Sequence, residues 1–160
     1  MIQVGDRLPA ANLKRLTADG IKDVSLGDIT KGKKVVLFAV PGAFTPTCSE
    51  RHLPGFLEGA EALKAKGVQA IVCVAVNDPF VLNAWDKATN VGGRVELLSD
   101  GNAEFTRAIG LDLDGSGAGL GTRSKRYAMV VDDGVVKTLL VEDAPAQADK
   151  SSAQAILATL

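Results

Sequence analysis

The distribution of hydrophobic residues along the chain predicts strands that alternate with helices. Residues 35–40 and 68–76 are continuous apolar runs rich in β-branched side chains. Runs this short are typical of strands that are buried on both faces of a sheet. A third strand is predicted at residues 95–99. Two more apolar runs, joined by an Asp-Asp-Gly turn, predict a hairpin at residues 127–141.

Apolar residues at helical spacing occupy the segments between these strands and the end of the chain. They predict helices at residues 56–67, 80–88, 103–109 and 153–160. Residues 1–30 are rich in turn signals and are predicted to be irregular or edge structure, with one short strand near Ile21 and Val24. Residues 111–121 contain four glycines at alternating positions and predict a loop.

This order of elements predicts an α/β fold with a mixed central sheet and helices on both faces. A thioredoxin-like arrangement is among the leading candidates for it. At 160 residues and 46% hydrophobic, the chain is long enough to bury a full core. Because no linker, repeat or change of composition divides it, we predict one domain over residues 1–160.

The charge balance argues against several classes of partner. The chain has 18 basic and 19 acidic residues and a formal net charge of −1, with no basic stripe. Neither a nucleic acid nor an anionic membrane is therefore a predicted partner. No apolar run approaches the roughly 18 residues that cross a bilayer, and the first ten residues have neither a secretory nor a transit-peptide composition. The predicted location is the cytoplasm.

The chain contains two cysteines, Cys48 and Cys73, and one histidine, His52. Two cysteines are too few for a disulfide-stapled fold, so each is either a small buried residue or a reactive thiol. Without added carboxylates these three side chains cannot complete a four-ligand zinc site. We therefore predict no metal and no cofactor.

Cys48 occupies the first turn of a predicted helix, directly after the first buried strand. With Thr45 as the N-cap, Pro46 is the first helical residue and Cys48 the third. Free backbone N–H groups and the positive end of the helix dipole then favour the thiolate over the thiol. Spacing alone leaves two interpretations, a reactive thiolate or a small inert residue at a helix start.

His52 follows Cys48 by one helical turn and lies on the same face. A Cys–His pair suggests a hydrolase or transferase, but no third orienting residue is identifiable, and a structural histidine is the preferred interpretation. Pro54 is expected to kink the helix because it removes the hydrogen bond to the Glu50 carbonyl. Thr45 stands where a dithiol oxidoreductase would carry its second cysteine, which disfavours disulfide exchange as the main activity.

One long motif extends around Cys48: Pro41-Gly42-Ala43-Phe44-Thr45-Pro46-Thr47-Cys48-Ser49, followed by His52-Leu53-Pro54-Gly55-Phe56. It closely resembles the peroxiredoxins, and within them the peroxiredoxin 5 or plant type II subgroup. The resemblance continues through residues 76–81, 98–101 and 121–127, and therefore covers nearly the whole chain in the same order. It implies a thioredoxin-like fold and the reduction of hydrogen peroxide and small alkyl hydroperoxides.

The resemblance also implies the roles of individual residues. Cys48 is the peroxidatic cysteine, which forms a sulfenic acid, and Thr45 orients the peroxide. Pro41 shields the thiolate from water, and Arg123 is the cationic partner of the sulfur. By the residues alone, Arg123 could not be distinguished from the neighbouring cations at positions 125 and 126.

The remaining expectations concern the substrate, the reductant and assembly. Phe44 and Leu120 are predicted to form an apolar substrate pocket. Cys73 is either a buried strand residue or a resolving thiol that attacks the Cys48 sulfenic acid. The preferred cycle uses Cys48 alone, with glutaredoxin and glutathione or thioredoxin as the external reductant, in a homodimer. A redox-sensing module without turnover and the Cys–His hydrolase remain the alternatives.

Overall fold

A seven-stranded mixed sheet forms the centre of the protein in the computed structural model, which describes residues 1–160. Its strands are β1 (Asn12–Thr17), β2 (Gly20–Ser25), β3 (Lys34–Val40), β4 (Ala70–Ala75), β5 (Glu96–Ser99), β8 (Tyr127–Asp132) and β9 (Val135–Val141). They lie in the order β2-β1-β5-β4-β3-β8-β9. A separate two-stranded ladder pairs β6 (Asp112–Asp114) with β7 (Thr122–Ser124).

Five α-helices accompany the sheet: α1 (Leu26–Thr30), α2 (Leu53–Ala65), α3 (Pro79–Thr89), α4 (Glu104–Ala108) and α5 (Ala153–Leu157). A π-helical turn, Cys48–His52, leads directly into α2, and a short 3₁₀ turn occupies Ser116–Ala118. None of these helices has both the length and the apolar character needed to cross a bilayer.

The predicted α/β fold, with helices on both faces of a mixed sheet, is confirmed. Side chains of β3 alternate between two core clusters. Val36 and Phe38 pack with residues of α2, α3 and α5 on one face. Val35 and Leu37 pack with residues of α1 and α4 on the other. The continuous apolar character of this strand, which predicted burial on both faces, follows from that position in the sheet.

The structure differs from the prediction mainly near the N-terminus and in the glycine-rich loop. Strand β1 was not predicted, because within it only Leu13 is buried and the remaining side chains do not alternate clearly. It is nevertheless a strand, since it pairs antiparallel with the full length of β2 and with β5. The short β6 and β7 replace part of the predicted loop, and α2 begins at Leu53 rather than near Phe56.

The topology brings two distant segments together at one edge of the sheet. Strands β3 and β4 are parallel, whereas β8 runs antiparallel to β3 and begins where Ala39 pairs with Tyr127. The loop after β3 and the residues just before β8 therefore meet at the carboxyl end of β3. Cys48 belongs to the first of these segments and Arg126 to the second.

Candidate active site

Cys48 begins the π-helical turn and is fully buried. The turn is defined by the Leu53 N–H, which donates to the carbonyl five residues earlier, that of Cys48. Pro54 follows immediately and has no N–H with which to continue an α-helical ladder. The irregularity expected around Pro54 is therefore present, in the form of a wide turn that carries the cysteine.

The loop before Cys48 is folded by local backbone hydrogen bonding. Pro41 is buried directly after β3, and Phe44 adopts a left-handed backbone with φ 64°. The Thr45 hydroxyl donates to the Gly42 carbonyl at 2.6 Å, rather than accepting from the Cys48 amide as a side-chain cap would. Pro46 begins the helical turn as predicted, and the Thr45 hydroxyl keeps its lone pairs as hydrogen-bond acceptors.

Arg126 is the cation that contacts the cysteine. Its Nη2 donates to Cys48 Sγ at 3.0 Å, and its Nε donates to the Pro145 carbonyl at 3.0 Å. Only 2% of Arg126 is exposed, and it takes part in none of the salt bridges with carboxylates. A buried guanidinium without a carboxylate partner is costly unless another anion compensates it. Among the groups that contact the Arg126 side chain, Cys48 Sγ is the one that can carry a negative charge.

The assignment of Arg123 as the cationic partner of the sulfur is corrected by this geometry. Arg123 lies on β7, where its Nε donates to the Leu120 carbonyl at 2.9 Å. Its guanidinium packs on Gly42, where an added β-carbon would lie 2.9 Å from Nη1. Arg123 thus ties the glycine-rich loop to the loop before Cys48. The resemblance placed the cation three positions too early, at Arg123 instead of Arg126.

Arg126 could have been identified before the structure only if the pairing of β8 with β3 had been known. Residue 126 directly precedes the apolar run that becomes β8, and that run lies antiparallel to β3. An antiparallel neighbour must begin at the carboxyl end of β3, where Cys48 follows. Strand order, however, is a long-range property that local patterns do not show.

His52 is buried, with 2% exposure, and both of its ring nitrogens are engaged. Nδ1 lies 3.0 Å from Arg126 Nη1, and Nε2 lies 2.9 Å from the Ser151 carbonyl oxygen. The interpretation as a structural histidine bonded to backbone is supported by the second contact. Since neither nitrogen bonds Cys48, the histidine is not placed as the base that a Cys–His hydrolase requires.

Burial, reinforced by the charge of Arg126, lowers the pKa of His52 from 6.5 to about 4. As the pH falls from 6.5 towards 4, the unfolded chain therefore binds a proton that the folded protein refuses. Stability is complete above the unfolded pKa and is lost as the pH falls through this window.

We expect the free energy of unfolding to drop by about 2 kcal/mol between pH 7 and pH 5 because of this histidine. Urea denaturation at the two pH values measures the change. The variant His52→Asn, which has no group titrating in this range at position 52, should show a nearly flat profile over the same interval. An equally steep loss in the variant would contradict the assignment.

Cys73 lies on β4, opposite Phe38 of β3, on the core face that also contains Cys48. It is 1% exposed and forms no disulfide. Burial, together with the neighbouring Cys48, raises the pKa of the Cys73 thiol well above its ordinary value. Cys73 is therefore held as a thiol, which is a poor nucleophile.

Two contacts that the sequence did not suggest hold the active-site segment in place. Trp85 of α3 donates its indole N–H to Ser49 Oγ at 2.9 Å, and the Ala43 N–H donates to Asn77 Oδ1 at 2.9 Å. Both partners, Trp85 and Asn77, follow β4 in the chain.

The two residues predicted to form an apolar substrate pocket lie at the surface. Phe44 is 55% exposed and Leu120 is 38% exposed.

The sequence of this chain is similar to known proteins over almost its whole length. The Redoxin family profile matches residues 3–157. A chloroplastic peroxiredoxin, Peroxiredoxin-2E-2 of Oryza sativa subsp. japonica, is 54% identical over 98% of this chain and 72% of its own length. Peroxiredoxin-2C of the same plant is 48% identical over 99% of this chain and 98% of its own.

Among solved structures, the fold matches reduced Prx3 of Vibrio vulnificus in complex with hydrogen peroxide. The TM-score is 0.93 at 53% identity, over 99% of each chain. The match in sequence and in three dimensions extends over both segments that form the site around Cys48. The chain belongs to the peroxiredoxin family and is a thiol-dependent peroxidase with a thioredoxin-like fold.

Proposed function

We propose that Cys48 is the peroxidatic nucleophile, which reduces hydrogen peroxide and small organic hydroperoxides through a sulfenic acid. The observation that carries this proposal is the 3.0 Å contact between Cys48 Sγ and the buried Arg126 guanidinium, which has no carboxylate partner. A fixed, desolvated cation beside the sulfur favours the thiolate and is already in place where negative charge moves during the reaction.

In the proposed step the thiolate attacks the terminal oxygen of the hydroperoxide. An S–O bond forms while the O–O bond breaks, so that sulfur is oxidised and the peroxide is reduced. The other oxygen leaves as alkoxide, or as hydroxide from hydrogen peroxide, and takes a proton from water. The hydroperoxide proton remains on the oxygen bound to sulfur, and the product at Cys48 is a sulfenic acid.

Thr45 and Pro41 are proposed to prepare the site for this step. The Thr45 hydroxyl is fixed by its bond to Gly42 and can accept a hydrogen bond from the peroxide with a free lone pair. The buried Pro41 occupies the position just after β3 and offers no N–H, so it excludes water without competing for the substrate. Both roles position reactants rather than form bonds with them.

The exposed side chains of Phe44 and Leu120 are proposed to contact the alkyl group of organic hydroperoxides. Arg123 connects the backbone beside both residues, because it bonds the Leu120 carbonyl and packs on Gly42. An apolar rim of this kind would favour alkyl hydroperoxides through the hydrophobic effect while remaining open to hydrogen peroxide.

Glutaredoxin with glutathione, or alternatively thioredoxin, is proposed to reduce the sulfenic acid. The alternative of internal resolution by Cys73 is disfavoured, since that thiol is buried and its raised pKa suppresses the thiolate. An external thiol is then required to form the mixed disulfide at Cys48. A panel that compares the two reductants under matched conditions would assign the physiological class.

We further propose a homodimer that acts in the cytoplasm. Two free cysteines are compatible with a reducing compartment. The 54% identical rice relative is named chloroplastic, so a fluorescent fusion that localises to a plastid would contradict this proposal. Light scattering of the purified protein tests the dimer, and a monomer at working concentration would contradict it.

The experiment that tests the central proposal is stopped-flow oxidation of Cys48 by hydrogen peroxide. We expect the reaction to exceed that of a free thiolate by at least about 10³-fold, the contribution of preorganised donors. Trapping with a sulfenic-acid reagent and mass spectrometry should locate the adduct at Cys48. A rate no faster than that of a free thiolate would overturn the mechanism.

A further inference from the structure

A buried chain of hydrogen bonds continues behind the guanidinium that contacts Cys48. Arg126 Nη1 lies 3.0 Å from His52 Nδ1, and His52 Nε2 lies 2.9 Å from the Ser151 carbonyl oxygen. Ser151 is in turn held by Glu142, whose carboxylate accepts from the Ser151 N–H and hydroxyl at 2.5 Å each. All four residues are at most 7% exposed.

The chemistry of the two ends determines the protonation of the ring. A guanidinium can only donate, so His52 Nδ1 must carry a lone pair and no proton. A carbonyl oxygen can only accept, so Nε2 must carry the proton. His52 is therefore neutral, in the Nε2–H tautomer. A second proton on Nδ1 would set two donors and two positive charges against each other.

The surroundings also fix the plane of the ring. The His52 ring centroid lies 5.0 Å from that of Phe38 and 5.5 Å from that of Phe56, and the two phenyl rings stack on each other at 4.0 Å. Apolar contact on these sides and hydrogen bonds at both nitrogens leave the Nδ1 lone pair with one direction, towards Arg126. The lone pair thus acts as a rigid acceptor.

We propose that His52 is a positioning residue for peroxide reduction, whose neutral Nδ1 orients the Arg126 guanidinium so that Nη2 faces the Cys48 sulfur. The proposal rests on the mechanism proposed above, because it assigns a task to the cation of that mechanism. Arg126 is also held by Pro145 through Nε. One contact through Nε leaves the guanidinium free to tilt, whereas a second contact through Nη1 fixes the direction of Nη2.

The surrounding charges support the neutral state of the ring. The groups that act on His52 are Arg126, whose charge lowers its pKa, and Glu142, whose charge raises it. Burial is the largest effect, and together with Arg126 it outweighs the hydrogen bond to the Ser151 carbonyl and the charge of Glu142, so that the pKa is lowered to about 4. The acceptor on Nδ1 is therefore present throughout the neutral pH range, in which a peroxidase thiolate reacts.

Two substitutions at position 52 distinguish a role in positioning Arg126 from a purely structural role of His52. In His52→Asn the amide oxygen replaces Nδ1 and can still accept from Arg126, but the contact with Ser151 is lost. In His52→Gln the amide group reaches the position of Nε2, keeps the contact with Ser151 and leaves Arg126 without its acceptor. The two variants are similar in polarity, and each loses one of the two bonds.

We expect His52→Gln to lower the second-order rate constant with hydrogen peroxide about tenfold or more and to move its pH–rate profile upwards. His52→Asn should retain a rate within about threefold of the unsubstituted protein. Thermal denaturation of each variant provides the stability readout. If the two rates fall equally, or follow stability, the positioning role is wrong, while a fast unsubstituted protein would still uphold the peroxidatic role of Cys48.

Because the chain has a single histidine, the unsubstituted protein offers an independent test. Long-range ¹H–¹⁵N spectra should show one imidazole with a protonated Nε2 and an unprotonated Nδ1, unchanged between pH 8 and about pH 5.5. An Nδ1–H tautomer, or titration near the ordinary histidine pKa, would overturn the proposal even if neither variant folds.

Discussion

Replacement of Cys48 by serine is expected to reduce peroxide turnover by about 10⁴-fold or more, to the background of the assay. Serine is nearly isosteric, but its hydroxyl is not ionised at neutral pH and cannot form a sulfenic acid. Peroxide consumption, measured with glutaredoxin and glutathione in excess, gives the rate. The Arg126 guanidinium would then face a neutral hydroxyl instead of a thiolate.

The matched control is Cys73→Ser, which changes the other cysteine of the chain by the same atom. It should keep turnover within about threefold, although burial of a hydroxyl on β4 is expected to lower stability by about 1–3 kcal/mol. Substantial turnover by Cys48→Ser would refute the proposed mechanism. Loss of turnover by a folded Cys73→Ser would instead establish a resolving role for Cys73.

Replacement of Arg126 by methionine is expected to slow the oxidation of Cys48 by hydrogen peroxide about 10²–10³-fold. The substitution removes the donor that lies 3.0 Å from Cys48 Sγ and leaves the thiolate without a compensating charge. Stopped-flow kinetics over a pH series should show a lower rate and a profile displaced upwards, because less thiolate is present at a given pH.

Arg123→Met provides the comparison that separates the two arginines. Arg123 contacts the Leu120 carbonyl and Gly42 rather than the sulfur, so we expect a rate within about threefold of the unsubstituted protein. If Arg123→Met proves the slower of the two, the assignment of Arg126 is wrong. Arg126→Lys, which keeps a charge, serves where the methionine variant unfolds, and it should recover only part of the rate.

The sequence anticipated the parts of the site that depend on local order. Residues 41–48 follow an apolar run and contain a proline at the first helical position, which predicts a strand that leads into a helix at Cys48. The structure contains that transition. The irregularity expected around Pro54 is also present, as the π-helical turn Cys48–His52, because the absence of an N–H at Pro54 is a covalent property that no fold can alter.

Local sequence order could not decide whether Arg123 or Arg126 contacts the sulfur. They are three positions apart, and both precede an apolar run. Only the pairing of Ala39 with Tyr127 brings residue 126, and not residue 123, to the end of β3. That register is a contact between distant parts of the chain, so local periodicity carries no information about it.

For His52, too, the sequence predicted the position of the residue and the tertiary structure decided its contacts. Its spacing from Cys48 placed both on one helical face, and this prompted the question of a Cys–His pair. The structure shows no such pair, because the two ring nitrogens contact Arg126 and the Ser151 carbonyl and not the sulfur. The partners are 74 and 99 residues away along the chain.

By itself the sequence determined the α/β class, the buried central strands and the cysteine at the start of a helix, because these follow from side-chain periodicity and from the backbone constraints of proline. The tertiary structure alone decided which arginine faces the sulfur and which tautomer the histidine carries. These features depend on how the β3–β8 pairing and the segment before α5 converge on one buried point, where each charge and each proton must find its complement.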